Sequence, residues 1–120
     1  MISFRNYESA FLEGGTAWIP IVIDRLAREL EYGGLLLKRK PEDYFKSGRI
    51  FVGCEGNEKA LAYAVERVGP APFMFASDFP HEISLGNCME EINEILERTD
   101  LKQDHKAAIL GDNARQFYRI

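Results

Sequence analysis

Three carboxylates stand directly after apolar segments of the sequence: Glu13, Glu55 and Asp78. In parallel α/β proteins, ligands bind where the strands end and the chain turns toward a helix. Carboxylates gathered there would repel one another unless a divalent metal, a proton or a cationic substrate neutralised them. The competing interpretation is that each carboxylate caps the helix that follows it, because acids favour the positive end of a helix dipole. The three positions together favour metal or acid–base chemistry.

Asp78 carries the strongest of these signals because it follows the most apolar segment and begins a short loop that contains Pro80 and His81. Proline fixes its own φ and removes a backbone donor, so a rigid loop could present Asp78 and His81 toward one point. A lone histidine is weak evidence, and a surface imidazole or a hydrogen-bond partner is the simpler interpretation of His81.

The counts of histidine and cysteine restrict the chemistry further. His81 and His105 are the only histidines, which is too few for a two- or three-histidine metal site within one chain. We expect His105 to be exposed on a polar helix. Cys54 and Cys88 are 34 residues apart and neither belongs to a CxxC pair, so we expect both to be reduced core thiols.

The composition bounds the class of protein. The chain has 120 residues, 46% of them hydrophobic, and a formal net charge of -4, which fits one globular domain over residues 1–120. An acidic chain is an unlikely partner for nucleic acid, whose ligands are usually basic. No apolar run approaches the roughly 18 residues that a membrane span needs. Without a signal-peptide pattern after Met1, we expect a cytoplasmic protein.

Strand and helix patterns alternate along the chain. Strands are predicted at 8–13, 49–54 and 72–77, from apolar runs that end at turn residues. The spacing of Trp18, Val22, Leu26 and Leu30 predicts a first helix, Pro41 begins a short second one, and a third covers 60–68. Two capping boxes, Asn87 with Glu90 and Asp100 with Gln103, begin two further helices, the second of which should stop at Gly111. A last helix is predicted over 113–118. This order predicts an α/β fold with parallel strands joined by right-handed crossovers.

Five segments, in this order, resemble the amidohydrolase 2 group, which includes aminocarboxymuconate-semialdehyde decarboxylase. They are residues 11–20 (FLEGGTAWIP), 24–26 (DRL), 38–45 (KRKPEDYF), 77–81 (SDFPH) and 109–118 (ILGDNARQFY). The resemblance covers nearly the whole chain, and it implies a metal-dependent (β/α)8 barrel. Such enzymes hydrolyse C–N or C–O bonds, or decarboxylate small aromatic and unsaturated acids.

The resemblance also implies roles for individual residues. In the family, an HxH pair on the first strand and a histidine on the fifth bind a divalent metal, usually zinc, and an aspartate that ends the eighth strand completes the site. Asp78 matches this aspartate and would be metal ligand and general base, so the three strands here would be the sixth to eighth. Glu13 falls where many members carry a histidine. Glu13 and His81 would contact substrate or metal.

The HxH pair and the fifth-strand histidine are missing from these 120 residues. The matching part is therefore the last third to half of a barrel that needs about 250 residues. One hypothesis is a C-terminal segment of an amidohydrolase-like hydrolase or decarboxylase for a small carboxylate or cyclic substrate, inactive alone and completed by self-association or by an upstream-encoded partner segment. The alternative is a non-catalytic α/β remnant that serves as an oligomerisation or binding module. Unpaired strand edges favour association in both cases.

Overall fold

A computed structural model describes residues 7–34, 36–81 and 83–120. Three parallel strands form one sheet in the order β1 (Ser9–Phe11), β2 (Ile50–Cys54), β3 (Phe73–Phe75). The helices are α1 (Trp18–Glu31), α2 (Pro41–Phe45), α3 (Leu61–Val68), α4 (Cys88–Glu97), α5 (Gln103–Ala107) and α6 (Asn113–Tyr118), and a π-helical turn over Ala108–Asp112 joins α5 to α6. The predicted α/β class with parallel strands is confirmed. None of the helices in the described part of the chain is long and apolar enough to cross a membrane.

The central strand β2 is covered on both faces, which explains its nearly continuous apolar sequence. Val52 and Cys54 point to one face and belong to the main core cluster, together with Ile19 of α1. On the opposite face, the ring of Phe51 contacts the ring of Phe117 from α6, with centroids 5.0 Å apart. The sheet is thus packed between helices α1 to α3 and the C-terminal helix α6.

The predicted helix stop at Gly111 is wrong, because the chain stays helical from α5 through the π-helical turn into α6. The buried side chain of Asn113 explains this. Its Nδ2 donates to the carbonyl oxygens of Pro70 at 2.8 Å and Phe73 at 2.7 Å, which fixes the helix against the start of β3. A glycine inside a helix is unfavourable by only about 1 kcal/mol, which these tertiary contacts exceed.

Both predicted capping boxes are wrong, because each proposed capping side chain bonds a side chain close in sequence instead. The side chain of Asn87 makes no cap hydrogen bond to α4, and its Oδ1 accepts from Ser84 Oγ at 3.0 Å instead. Helix α5 begins at Gln103 after Lys102, so Asp100 does not cap it. Asp100 receives two bonds of 2.8 Å from the guanidinium of Arg98, and this bidentate ion pair occupies both of its carboxylate oxygens. This contact lowers the pKa of Asp100.

The fold generates a first prediction about Asn113. Asn113→Ala removes both donors and leaves the carbonyl oxygens of Pro70 and Phe73 without them, so we expect a loss of about 2 kcal/mol in unfolding free energy by urea titration. The matched control is Asn93→Ala at an exposed position of α4, where we expect a change within about 0.5 kcal/mol. Equal effects in the two variants would contradict the assigned role of Asn113.

Candidate active site

A cavity of about 250 Å³ lies at the carboxyl end of the sheet, and we call it the strand-end cavity. The loop after β1 contributes Glu13, the end of β2 contributes Cys54 and Glu55, and the chain after β3 contributes Asp78 and His81. The structure therefore brings together all three residues that the sequence analysis named as catalytic candidates. It also places the third strand-end carboxylate beside them.

Two of these carboxylates have an unusual backbone conformation. Glu13 has φ 63° and Asp78 has φ 57°. Both angles lie in the left-handed region, which is unfavourable for a non-glycine residue by roughly 1–2 kcal/mol. Each lies within three residues of the end of a strand, and β1 and β3 are shorter than predicted. Such strain in a non-glycine residue is found where the surrounding structure fixes a functional side chain.

The capping interpretation of the strand-end acids is wrong. The residues at the N-caps of α1 and α3 are Ala17 and Ala60, and neither helix has a side-chain cap hydrogen bond. The helix that follows Asp78 begins only at Cys88. These carboxylates therefore border the cavity without capping the helices that follow.

Glu58 is the residue of this region that the sequence analysis missed. Its Oε2 accepts from the backbone N–H of Thr16 at 2.8 Å and from the hydroxyl of Thr16 at 2.6 Å. Its Oε1 accepts from the backbone N–H of Glu55 at 2.9 Å. We call these three contacts the Glu58 bridge. The contact between Glu58 and the N–H of Glu55 has the three-residue spacing with which an acid of a capping box reaches back to the backbone. Nothing in the sequence indicates the contact of Glu58 with Thr16.

Arg98 supports the same loop from the other side. Its Nη1 donates to the carbonyl oxygens of Gly56 at 2.9 Å and Glu58 at 2.7 Å, while its Nη2 and Nε bind Asp100. At Gly56 a Cβ would lie 2.6 Å from the carbonyl oxygen of Glu91, so only glycine allows α4 to approach this closely. The loop between β2 and α3 is thus held by contacts from α4 and from the segment after it.

The electrostatic character of the cavity is acidic. Its described lining contains Glu13, Glu55, Glu58 and Asp78 and contains no lysine or arginine. Burial, and then the negative charge of Glu58, raise the pKa of the Cys54 thiol from 9.0 to about 12. Cys54 is therefore a neutral thiol at physiological pH and does not provide a thiolate for nucleophilic attack.

The outcomes for the cysteines and histidines differ from residue to residue. Cys54 and Cys88 are both free, as expected, but only Cys54 is buried, and Cys88 is half-buried. His81 is exposed at the rim of the cavity. The prediction that His105 is exposed is wrong, since it is half-buried beside α3, where it borders a shallow groove with Tyr63.

The donors present do not by themselves fit a metal site. Within residues 7–34, 36–81 and 83–120, no group of three His, Cys, Asp or Glu side chains could hold a metal ion. Among the residues that line the cavity, Asp78 could supply one carboxylate oxygen.

The parallel β/α units are typical of part of an α/β barrel. The cavity lies at the carboxyl ends of the strands, where ligands bind in such barrels. A family model described as amidohydrolase matches residues 9–120, and the chain belongs to this family. The comparison with curated proteins found no match.

Among solved structures, this chain is similar to 5-carboxyvanillate decarboxylase LigW from Sphingomonas paucimobilis, with 26% identity and a TM-score of 0.66. The match covers 94% of this chain and 34% of the decarboxylase chain. The chain thus spans about a third of the solved structure that it matches. Its three strands form a partial barrel, as the resemblance implied.

The left-handed backbone at Asp78 generates a second prediction. Because glycine adopts this conformation without a Cβ penalty, Asp78→Gly should be more stable than Asp78→Ala by about 1 kcal/mol in urea unfolding. The matched pair at an ordinary helical position is Glu66→Gly and Glu66→Ala in α3, where we expect the opposite order. If alanine were preferred at both positions, the assigned conformation of Asp78 would be wrong.

The raised pKa of Cys54 generates a third prediction. The folded state keeps the thiol proton up to pH of about 12, whereas the unfolded chain releases it near 9.0, so this residue makes stability fall between these pH values. Cys54→Ala should lose less unfolding free energy than the wild type as the pH rises from 9 toward 12. Identical slopes for Cys54→Ala and the wild type would exclude the buried neutral thiol.

Proposed function

We propose that this chain is the C-terminal segment of an amidohydrolase-like hydrolase or decarboxylase that acts on a small carboxylate or cyclic substrate. The observation that carries the proposal is the convergence of Glu13, Asp78 and His81 on one cavity at the carboxyl end of a parallel sheet. Membership of the amidohydrolase family and the similarity to a decarboxylase support it.

In this proposal Asp78 is the general base and a metal ligand, and Glu13 and His81 contact substrate. A carboxylate that ends a strand can accept a proton from water or from a substrate group held above the sheet. The exposed imidazole of His81 can donate a hydrogen bond from the rim. A divalent cation, zinc according to the resemblance, would supply Lewis-acid chemistry once other parts of a barrel provide the remaining ligands.

The partner proposed to complete the barrel is a further barrel segment or a second copy of the chain. β1 has a pairing partner on one side only among the described residues, since β2 is its neighbour. Beside it lies an apolar groove with Phe11 and Leu12 exposed to 49% and 56%, next to Trp18. An unpaired edge with exposed apolar side chains is a surface on which another parallel strand can pair.

The second candidate function is a non-catalytic oligomerisation or binding module. The lack of a three-donor metal cluster in the described residues favours it. The two candidates differ in what association should achieve, because a module would associate without acquiring a metal.

The test combines the chain with a segment of 5-carboxyvanillate decarboxylase that carries the strands preceding the matched region, in the presence of zinc. We expect the two to co-elute, to retain zinc measured by plasma mass spectrometry, and to release CO₂ from carboxylated phenols. Asp78→Asn should lower zinc retention by at least about tenfold, because a ligand is lost. The control is Asp112→Asn, an exposed carboxylate outside the cavity lining.

Equal zinc in the Asp78→Asn and wild-type complexes would refute the ligand role of Asp78. Association without zinc or activity would favour the binding module. If neither the decarboxylase segment nor a second copy associates with the chain, both proposals fail.

A further inference from the structure

One carboxylate connects two of the three segments that border the strand-end cavity. Glu58 Oε2 binds Thr16 in the loop after β1, and Glu58 Oε1 binds the backbone of Glu55 in the loop after β2. Thr16 is fully buried (0% exposed), so water does not replace its contact with Glu58 in the folded state. Hydrogen bonds to an ionised carboxylate are about twice as strong as neutral ones.

The surroundings leave the Glu58 bridge little freedom. A Cβ at Gly15, which has φ 62°, would lie 3.3 Å from Glu58 Oε2, so the loop after β1 passes close against the carboxylate. The indole Nε1 of Trp18 donates to the carbonyl oxygen of Gly15 at 2.9 Å, which fixes the same turn to α1. Arg98 holds the backbone of Glu58 itself.

We propose that Glu58 is the positioning residue of the strand-end cavity, because its carboxylate holds the loop that carries Glu13 and the backbone of Glu55 together across two strands. Glu58 acts through these residues and not on a substrate. The inference rests on the proposed function only in taking this cavity as the reaction site. The bridge itself is independent of any metal or activity.

Cys54 reports on the bridge because it lines the same cavity and is only 1% exposed. In a Cys88→Ser background, the rate of Cys54 alkylation by iodoacetamide measures how often the loops open. Thr16→Val removes one bond to Glu58 and changes no charge, so we expect alkylation to be about tenfold faster. Thr16→Ser keeps the hydroxyl and should restore the rate to within about twofold of the wild type.

A core variant and the urea dependence of Cys54 alkylation distinguish positioning of the loops by Glu58 from a contribution to global stability. Val65→Ala creates a cavity in the core and destabilises the whole fold, but it leaves the Glu58 bridge intact. Opening of the loops alone exposes little surface, so alkylation in Thr16→Val should stay fast and nearly independent of urea below the unfolding transition. Val65→Ala should match the wild type at low urea.

Equal acceleration in Thr16→Val and Val65→Ala, with full urea dependence in both, would overturn the proposal, since Cys54 would then be reached only by global unfolding. Failure of Thr16→Ser to restore the rate would also overturn it. These results do not depend on zinc or catalysis. Loss of the positioning role can therefore be told apart from loss of the proposed function.

Discussion

The carboxylate of Glu58 is the constraint on which the arrangement of the cavity depends. β1 and β3 contribute only three residues each, so the ladder between β1 and β2 is only three residue pairs long. Beyond the ladder, the loops after β1 and β2 are connected by the contacts of Glu58 with Thr16 and Glu55. Because these bonds go to an ionised group that is partly removed from water, they are stronger than the neutral contacts of an ordinary loop.

The acidity of the cavity and its strained backbone follow from the same arrangement. Glu13 and Asp78 both have left-handed φ angles. The buried thiol of Cys54 in the same cavity stays neutral, since burial and the charge of Glu58 both oppose its ionisation. The cavity therefore offers carboxylates and no thiolate, which suits acid–base chemistry rather than covalent catalysis by a thiolate.

The sequence predicted those features that depend on local periodicity. β2 and α1 follow from their apolar patterns, and Asp78 follows from its place after an apolar run. Features that depend on distant contacts were missed: Thr16 and Glu58 are 42 residues apart, and nothing in the sequence links the two. Local signals also failed where another contact was stronger. At Gly111 the tertiary bonds of the buried Asn113 hold the helix together, and at Asp100 a neighbouring side chain, Arg98, binds the carboxylate.

The chain belongs to the amidohydrolase family and spans about a third of the decarboxylase that it matches, and its strand-end carboxylates lie at the carboxyl end of the sheet. The most direct test of the account is amide hydrogen exchange in Glu58→Ala. The amides of Thr16 and Glu55 should lose protection together, while the amide of Val52, which donates to Pro72 in the sheet, should keep it. Loss at only one of the two loop amides, or at neither, would contradict the coupling of the loops by Glu58.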